Sequence, residues 1–262
     1  MNSEESKIFW NVLADDWDAK MGESGNRFHC EIIRPATLKL LNPQKGEHIL
    51  DIACGNGIFS RYLASLGVKV TAFDYSTKLI GHAKERFEKY SNLIDFHVAD
   101  ATNYDELISL QKGKTFDKAV SNMAVMDIAE IEPLFQAVYD RLAPGGIFVF
   151  SSEHPCFQTP NNRKFTESMI ISEEKFVRMG IQTYEYIKPK THHVTILANN
   201  EKQALHFHRP LSMILNLCFK VGFVLDGMEE PVFEKPVHAS EFDWYELPPS
   251  IILRLRKVEK ER

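Results

Sequence analysis

Between residues 46 and 152, short runs rich in β-branched and aromatic residues alternate with amphipathic runs, and this rhythm admits few folds. Strands separated by helical stretches are too far apart in the chain to pair as tight hairpins. They line up in parallel, with helices covering both faces of the sheet. The expected strands are 46–54, 68–74, 94–100, 116–125 and 146–152; helices are expected over 57–66, 77–90, 104–110 and roughly 130–142. In 77–90, Leu79, Ile80, Ala83 and Phe87 recur at spacings of three and four and so share one helix face. Pro144-Gly145-Gly146 reads as the turn into the fifth strand.

The rhythm fails after Ser152. Residues 153–205 carry the β-branched and aromatic pieces IQTYEYI and HHVTIL between polar clusters, which suggests a hairpin-like insertion lying as a lid over one end of the sheet. A helix over 209–223 follows, with Pro210 near its start and Gly222 past its end, the usual asymmetry of helix termini. GFVLDGMEEP and SIILRLRKV supply two closing strands. The first 45 residues are helical in pattern, with Trp10 and Trp17 on one face, and form either packing for the sheet or a flap over a ligand. Residues 1–262 read as one domain.

Bulk properties narrow the class of ligand. A content of 44% hydrophobic and 26% charged residues is that of a folded globular chain. The net charge is -5 and no Lys/Arg block stands out, which disfavours nucleic acid as a partner and favours a small molecule. The four cysteines form no C-x-x-C pair, and no apolar run approaches the ~20 residues that span a bilayer. The N-terminus lacks a signal-peptide pattern, so a cytoplasmic protein without a membrane partner is expected. Nothing in the sequence fixes the oligomeric state.

In an open parallel sheet, ligands bind beyond the carboxyl ends of the strands, where strand order reverses. Ala53, Gly55 and Gly57 lie at that end of the first strand, where missing side chains admit a ligand to the main chain. Asp74 ends the second strand and is placed to accept both hydroxyl protons of a ribose. A dinucleotide site and an S-adenosylmethionine site both fit. The position of the third glycine in a dinucleotide fingerprint is occupied here by Ser60, a small residue that is also tolerated there.

The run ILDIACGNG resembles the first motif of class I S-adenosylmethionine-dependent methyltransferases, and VTAFDYS, FHVADAT and LAPGGIFVFS follow in the order that family shows. RPLSMILNLCFKVGFVLDGMEEP and ELPPSIILRLRK resemble the C-terminal part of its small-molecule, ubiquinone/menaquinone-type members. The resemblance implies a Rossmann-like α/β fold with a seven-stranded sheet of order 3-2-1-4-5-7-6, strand seven antiparallel, and S-adenosylmethionine as cofactor. It also implies roles. Asp51 and the Ala53–Gly57 turn would line the methionine and ribose portion, Asp74 would hold the ribose, and Tyr75 with Leu79 would flank the adenine. Asp100 and the main-chain N–H of Ala101 would meet the adenine edge; Asn122 and Met123 would sit below the sulfonium. The reaction implied is in-line methyl transfer to a small organic acceptor, for which alignment outweighs any fixed catalytic triad.

His154, His206, His208 and Asp127 are the candidates for a catalytic or acceptor-binding role, each with an ordinary reading as surface, turn or cap residue beside it. His206 and His208 share a strand face but lack a third ligand, and His192 and His193 point to opposite faces, so no metal is expected. Trp10, Trp17 and Met21 either close over the methyl donor or pack in the core. An NAD-dependent oxidoreductase and a non-catalytic S-adenosylmethionine-binding protein are the competing readings.

Overall fold

A computed structural model describes residues 3–171, 174–197, 203–234 and 244–258. The central sheet contains β1 (His48–Ile52), β2 (Lys69–Asp74), β3 (Ile94–Val98), β4 (Phe116–Ser121), β5 (Leu142–Glu153), β10 (Phe223–Glu229) and β11 (Ser250–Lys257). The strands lie in the order β3-β2-β1-β4-β5-β11-β10. The β1–β5 ladders are parallel, whereas β11 runs antiparallel to both β5 and β10. This is the seven-stranded arrangement expected, with β11 as the reversed seventh strand.

Strand alternation divides the core between the two faces. Leu50, Ile52, Phe148 and Phe150 join one cluster; Ile49, Val70, Ala72 and Val149 join the other. The first cluster is closed by α5 (Tyr104–Ser109), α6 (Glu132–Arg141) and α7 (Leu211–Val221) through Leu107, Phe135 and Ile214. The second is closed by α2 (Arg34–Leu41), α3 (Ile58–Ser65) and α4 (Thr77–Arg86) through Leu41, Leu63 and Ile80. Burial on both faces explains why the central strands read as near-continuous apolar runs.

Two expectations need correction. β5 begins at Leu142, and Pro144-Gly145-Gly146 sits inside a bulged start: Phe116 faces Leu142, but Lys118 already faces Ile147. The segment 153–205 is not one hairpin but parts of two. β6 (Arg163–Ile171) pairs with β7 (Glu174–Gln182), and β8 (Lys190–Val194) pairs with β9 (Ala204–His208).

β9 is fully buried and is tied to the loop after β4. Phe207 N–H donates to Met126 O at 2.7 Å, and the Arg209 guanidinium donates to the carbonyls of Val125, Ile128 and Ala129. One buried arginine thus satisfies the carbonyls that an irregular loop would otherwise strand away from water.

At the N-terminus, α1 (Ser3–Met21) lies along α4, fixed by the Asp18–Arg86 ion pair and by Ser76 Oγ donating to Asn11 Oδ1 at 2.9 Å. A single π-helical turn over His29–Ile33 leads from it into α2. Among the described residues, no helix is long and apolar enough to cross a membrane.

Candidate functional site

Sheet order reverses at β1, whose neighbours β2 and β4 lead away in opposite directions. A cavity of about 390 Å³ opens above the carboxyl ends there. The first residue after β1, Ala53, has φ +50, and Met123, two residues after β4, has φ +51. Left-handed backbone costs a residue with a β-carbon about 1 kcal/mol or more, and such residues concentrate at functional sites. These two turns fold the chain away from the crevice between β1 and β4.

On the β1–β2 side, Asp74 bridges the two strand ends. Its Oδ2 accepts from Gly55 N–H at 3.0 Å and its Oδ1 from Ser76 N–H at 2.9 Å. Burial pushes its carboxyl up to about 6 against the pull of those two donors. Asp51 points under α3, where Ser60 Oγ donates to it at 2.5 Å; burial lifts it to about 7, the hydroxyl opposes the rise and the nearby Asp74 adds to it. Asp100 Oδ1 accepts from both Thr102 N–H and Thr102 Oγ at 2.8 Å.

The expected residues Asp51, Ala53, Gly55, Asp74, Tyr75 and Leu79 all line the cavity, as do Asp100, Ala101, Asn122 and Met123. Asn122 is oriented by Thr37, whose hydroxyl donates to Oδ1 at 2.8 Å, and Met123 N–H donates to Ser151 Oγ at 2.9 Å. Gly57 does not line it. At φ +76 it caps α3, and a β-carbon there would stand 2.8 Å from the Phe96 ring and 2.9 Å from Ala83 Cβ. Its smallness serves helix-to-sheet packing instead of ligand approach.

The acceptor candidates separate cleanly. His206 and Asp127 line the cavity; His154 and His208 do not. His154 faces the other way, with Nε2 2.8 Å from Glu230 Oε1 and its ring 4.6 Å from Phe157. His208 Nε2 meets the Tyr186 carbonyl at 2.8 Å. Alternation along β5 sends its last side chain, Glu153, into the cavity, one position before the candidate His154.

Glu153, Asp127 and His206 form one cluster. His206 Nδ1 is 3.2 Å from Glu153 Oε2, and Nε2 is 3.0 Å from Asp127 Oδ1. The Nε2 contact is an ion pair between two buried atoms. Burial lowers the His206 pKa, but Asp127 and then Glu153 overcome it and carry the imidazole up to about 10. His206 is therefore a cation near neutral pH and has no lone pair free to take a proton. Burial raises Asp127, and His206 pulls it back down.

The N-terminal segment supplies the roof. Trp10 and Trp17 line the cavity with their rings 5.5 Å apart, and Met21 joins them. Ser6 Oγ meets Tyr75 Oη at 2.9 Å and donates to the Asp127 carbonyl, latching α1 across both halves of the site.

Two roof residues carry no motif signal. His29 lines the cavity with its Nδ1 and main-chain N–H both on Asn26 Oδ1, and burial, helped by Arg34, pushes it down to about 4. Arg34 stands over the Tyr62 ring, 5.1 Å from its centroid. Of residues 153–205, Glu153 and Val194–Ile196 reach the cavity, and no described residue of β6 or β7 does. Among the described residues, no three His, Cys, Asp or Glu side chains are grouped to hold a metal ion.

Comparison with known proteins agrees with this geometry. A methyltransferase domain model matches residues 49–146. A protein of Haemophilus influenzae described as uncharacterized is 28% identical over 235 residues, covering 88% of this chain and 89% of its own. A ubiquinone biosynthesis O-methyltransferase of Coxiella burnetii is 29% identical over 143 residues, which is 53% of this chain and 58% of that enzyme. The crystal structure of an S-adenosylmethionine dependent methyltransferase from Mesorhizobium loti superposes with a TM-score of 0.65 at 27% identity, covering 85% of this chain and 96% of that one.

Proposed function

We propose that the chain is a class I S-adenosylmethionine-dependent methyltransferase that binds S-adenosylmethionine in this cavity and methylates a small organic acceptor. The observation that carries this reading is Asp74, buried at the tip of β2, tied to the Gly55 main chain, and open to the same cavity as Asp51, Asp100 and Asn122. A ribose requires such an acceptor of two hydroxyl protons, each charge-assisted bond contributing about 1.5–3 kcal/mol. A dinucleotide is less well served. The Gly55 N–H is spent on Asp74 and the Gly57 N–H on the Cys54 carbonyl, so two donors that a pyrophosphate would use are engaged.

In this reading Tyr75 and Leu79 flank the adenine, Asp100 and the Ala101 main chain meet its edge, and Asp51 faces the methionine portion. When bound, the sulfonium supplies an already activated methyl group. The protein's share is to orient, exclude water and complement positive charge. The Trp10–Trp17 roof serves both ends, since an aromatic face attracts a desolvated cation by about 2 kcal/mol. Cys30, Cys54, Cys156 and Cys218 are all unpaired, which suits a reducing, cytoplasmic setting.

Calorimetric titration with S-adenosylmethionine tests the assignment. Asp74→Ala is expected to weaken binding about tenfold or more, or at least 1.4 kcal/mol, with circular dichroism unchanged. Unaltered affinity in a folded variant would remove Asp74 from the cofactor site.

A further inference from the structure

Resting on the methyltransferase reading, we infer that the acceptor is a small amine, cationic in solution, whose nitrogen docks on Glu153 at the acidic end of the cavity. Charge gives the first argument. Five acidic side chains line the cavity, those of Asp51, Asp74, Asp100, Asp127 and Glu153, with Asp51 held partly protonated by burial, against two cations, Arg34 and His206; no lysine joins them. Arg34 is stationed over the Tyr62 face of α3, so the cation beside β5 is His206, which Asp127 and Glu153 already share and outnumber. Low-dielectric walls focus such a field and select the sign of the ligand.

An excess of acceptors gives the second argument. His206 is 1% exposed, lines the cavity, and is shared by two carboxylates at 3.0 and 3.2 Å. Two negative groups on one imidazolium leave an excess of acceptor atoms. Asp127 Oδ1 has His206 Nε2 as its partner at 3.0 Å, so the acceptor capacity left facing the cavity is that of Glu153. An N–H donor from a ligand would meet the Glu153 oxygen that His206 does not hold. Glu153 Oε2 is taken by His206, and the side chain keeps 25% exposure at the cavity wall. An ammonium offers up to three N–H donors and no acceptor, the complement of this cluster. A phenol offers this cluster a single O–H donor, against up to three N–H donors from an ammonium.

Transfer then balances without a further reactant. The ammonium gives one proton to the Glu153 carboxylate, and the freed nitrogen lone pair forms the new N–C bond while the S–C bonding pair leaves with sulfur. The proton passes from Glu153 to water.

The test is binding to the protein saturated with S-adenosylhomocysteine, read by calorimetry with three probes of one shape: phenethylamine, 2-phenylethanol and 3-phenylpropionate. Phenethylamine is expected to bind at least about tenfold more tightly than the alcohol or the acid, a gap set by the carboxylate contact. Glu153→Gln is expected to abolish that preference while the affinity for S-adenosylhomocysteine stays unchanged. Equal binding of the three probes, preference for the acid, no binding of the amine, or an unaltered preference in Glu153→Gln overturns the proposal. If Glu153→Gln does not fold, Asp127→Asn is read in the same way. Failure of S-adenosylhomocysteine to bind counts against the methyltransferase reading alone, and the probe ranking is then taken on the free protein.

Discussion

The two ends of the cavity handle buried carboxylates in opposite ways. At the β1–β2 end, Asp51 and Asp74 have only a hydroxyl and main-chain N–H groups for partners, and burial holds both well above the usual carboxylate range. At the β4–β5 end, Asp127 and Glu153 enclose a cation of their own, His206. In the proposed reading, the first end is completed by the positive charge and hydroxyl donors of its ligand. The second is held together by an internal ion pair and only partly compensated. One cavity thus combines a site whose electrostatics are finished by its ligand with one finished largely by the fold.

The sharpest way to break that contrast is to remove the internal cation. His206→Ala leaves two carboxylates facing each other in a cavity wall, and deleting one partner of a buried pair costs about 3–5 kcal/mol. A loss toward the lower end is expected in urea unfolding, since Glu153 keeps some access to the cavity and can relax. A loss below about 1 kcal/mol would show that β9 is held by Arg209 and packing alone, and that the acidic end needs no cation. The intact pair has a pH signature. With the imidazole raised from its ordinary value to about 10, its stabilisation is complete below about pH 6.5 and disappears as pH rises through 10.

A second, slightly smaller effect lies at the opposite end. Gly57→Ala places a β-carbon 2.8 Å from the Phe96 ring and 2.9 Å from Ala83, at a left-handed φ. Overpacking and backbone strain together predict a loss of about 2–3 kcal/mol in the same unfolding measurement. Cofactor affinity in the folded fraction should change little, because Gly57 does not line the cavity.

The third test uses pH to compare the ends directly. Asp51 and Asp74, raised to about 7 and about 6, penalise the ligand-free fold increasingly as pH climbs from about 4 to 7, because the unfolded chain ionises them first. A cationic cofactor favours their charged forms. Its affinity should therefore rise through this window, by about tenfold between pH 5.5 and 8, and thermal unfolding of the saturated protein should lose the slope that the free protein shows. A flat affinity profile would mean that neither carboxylate meets the ligand.

The ends also differ in how far they are legible in sequence. At the β1–β2 end every residue sits at or just after a strand end in a repeating β-α rhythm, so Asp51, Ala53, Asp74 and Asp100 are brought together by the regularity of the sheet. The other end has no such rule. Glu153 meets His206 across 53 residues of chain, and Ser6 reaches the Asp127 carbonyl across 121. Period-two alternation does distinguish Glu153 from His154, but only once the register of β5 is known, and its bulged start hides that register. His29 and Arg34 are placed by a π-helical turn, an irregularity that no hydrophobic period announces. Sequence does bring out His206 as a candidate. Its state as a shared cation, and so its unsuitability as a base, depends on two carboxylates from other elements.

The smallest expected effect separates the two glycines of the β1 turn, which look equivalent in the sequence. Gly55 has φ +56, yet a β-carbon there would meet nothing within 4 Å. Gly55→Ala therefore pays only the left-handed penalty, about 1 kcal/mol in unfolding free energy. Its new methyl group would point into open space beside the N–H that Asp74 accepts, on the cavity wall against which the cofactor is proposed to lie. Affinity for S-adenosylmethionine should fall by several-fold while stability falls little, the reverse of the pattern expected for Gly57→Ala. If Gly55→Ala instead lowers stability as much as Gly57→Ala and leaves cofactor affinity intact, the small residues of this turn serve packing throughout, and the ligand does not lie against it.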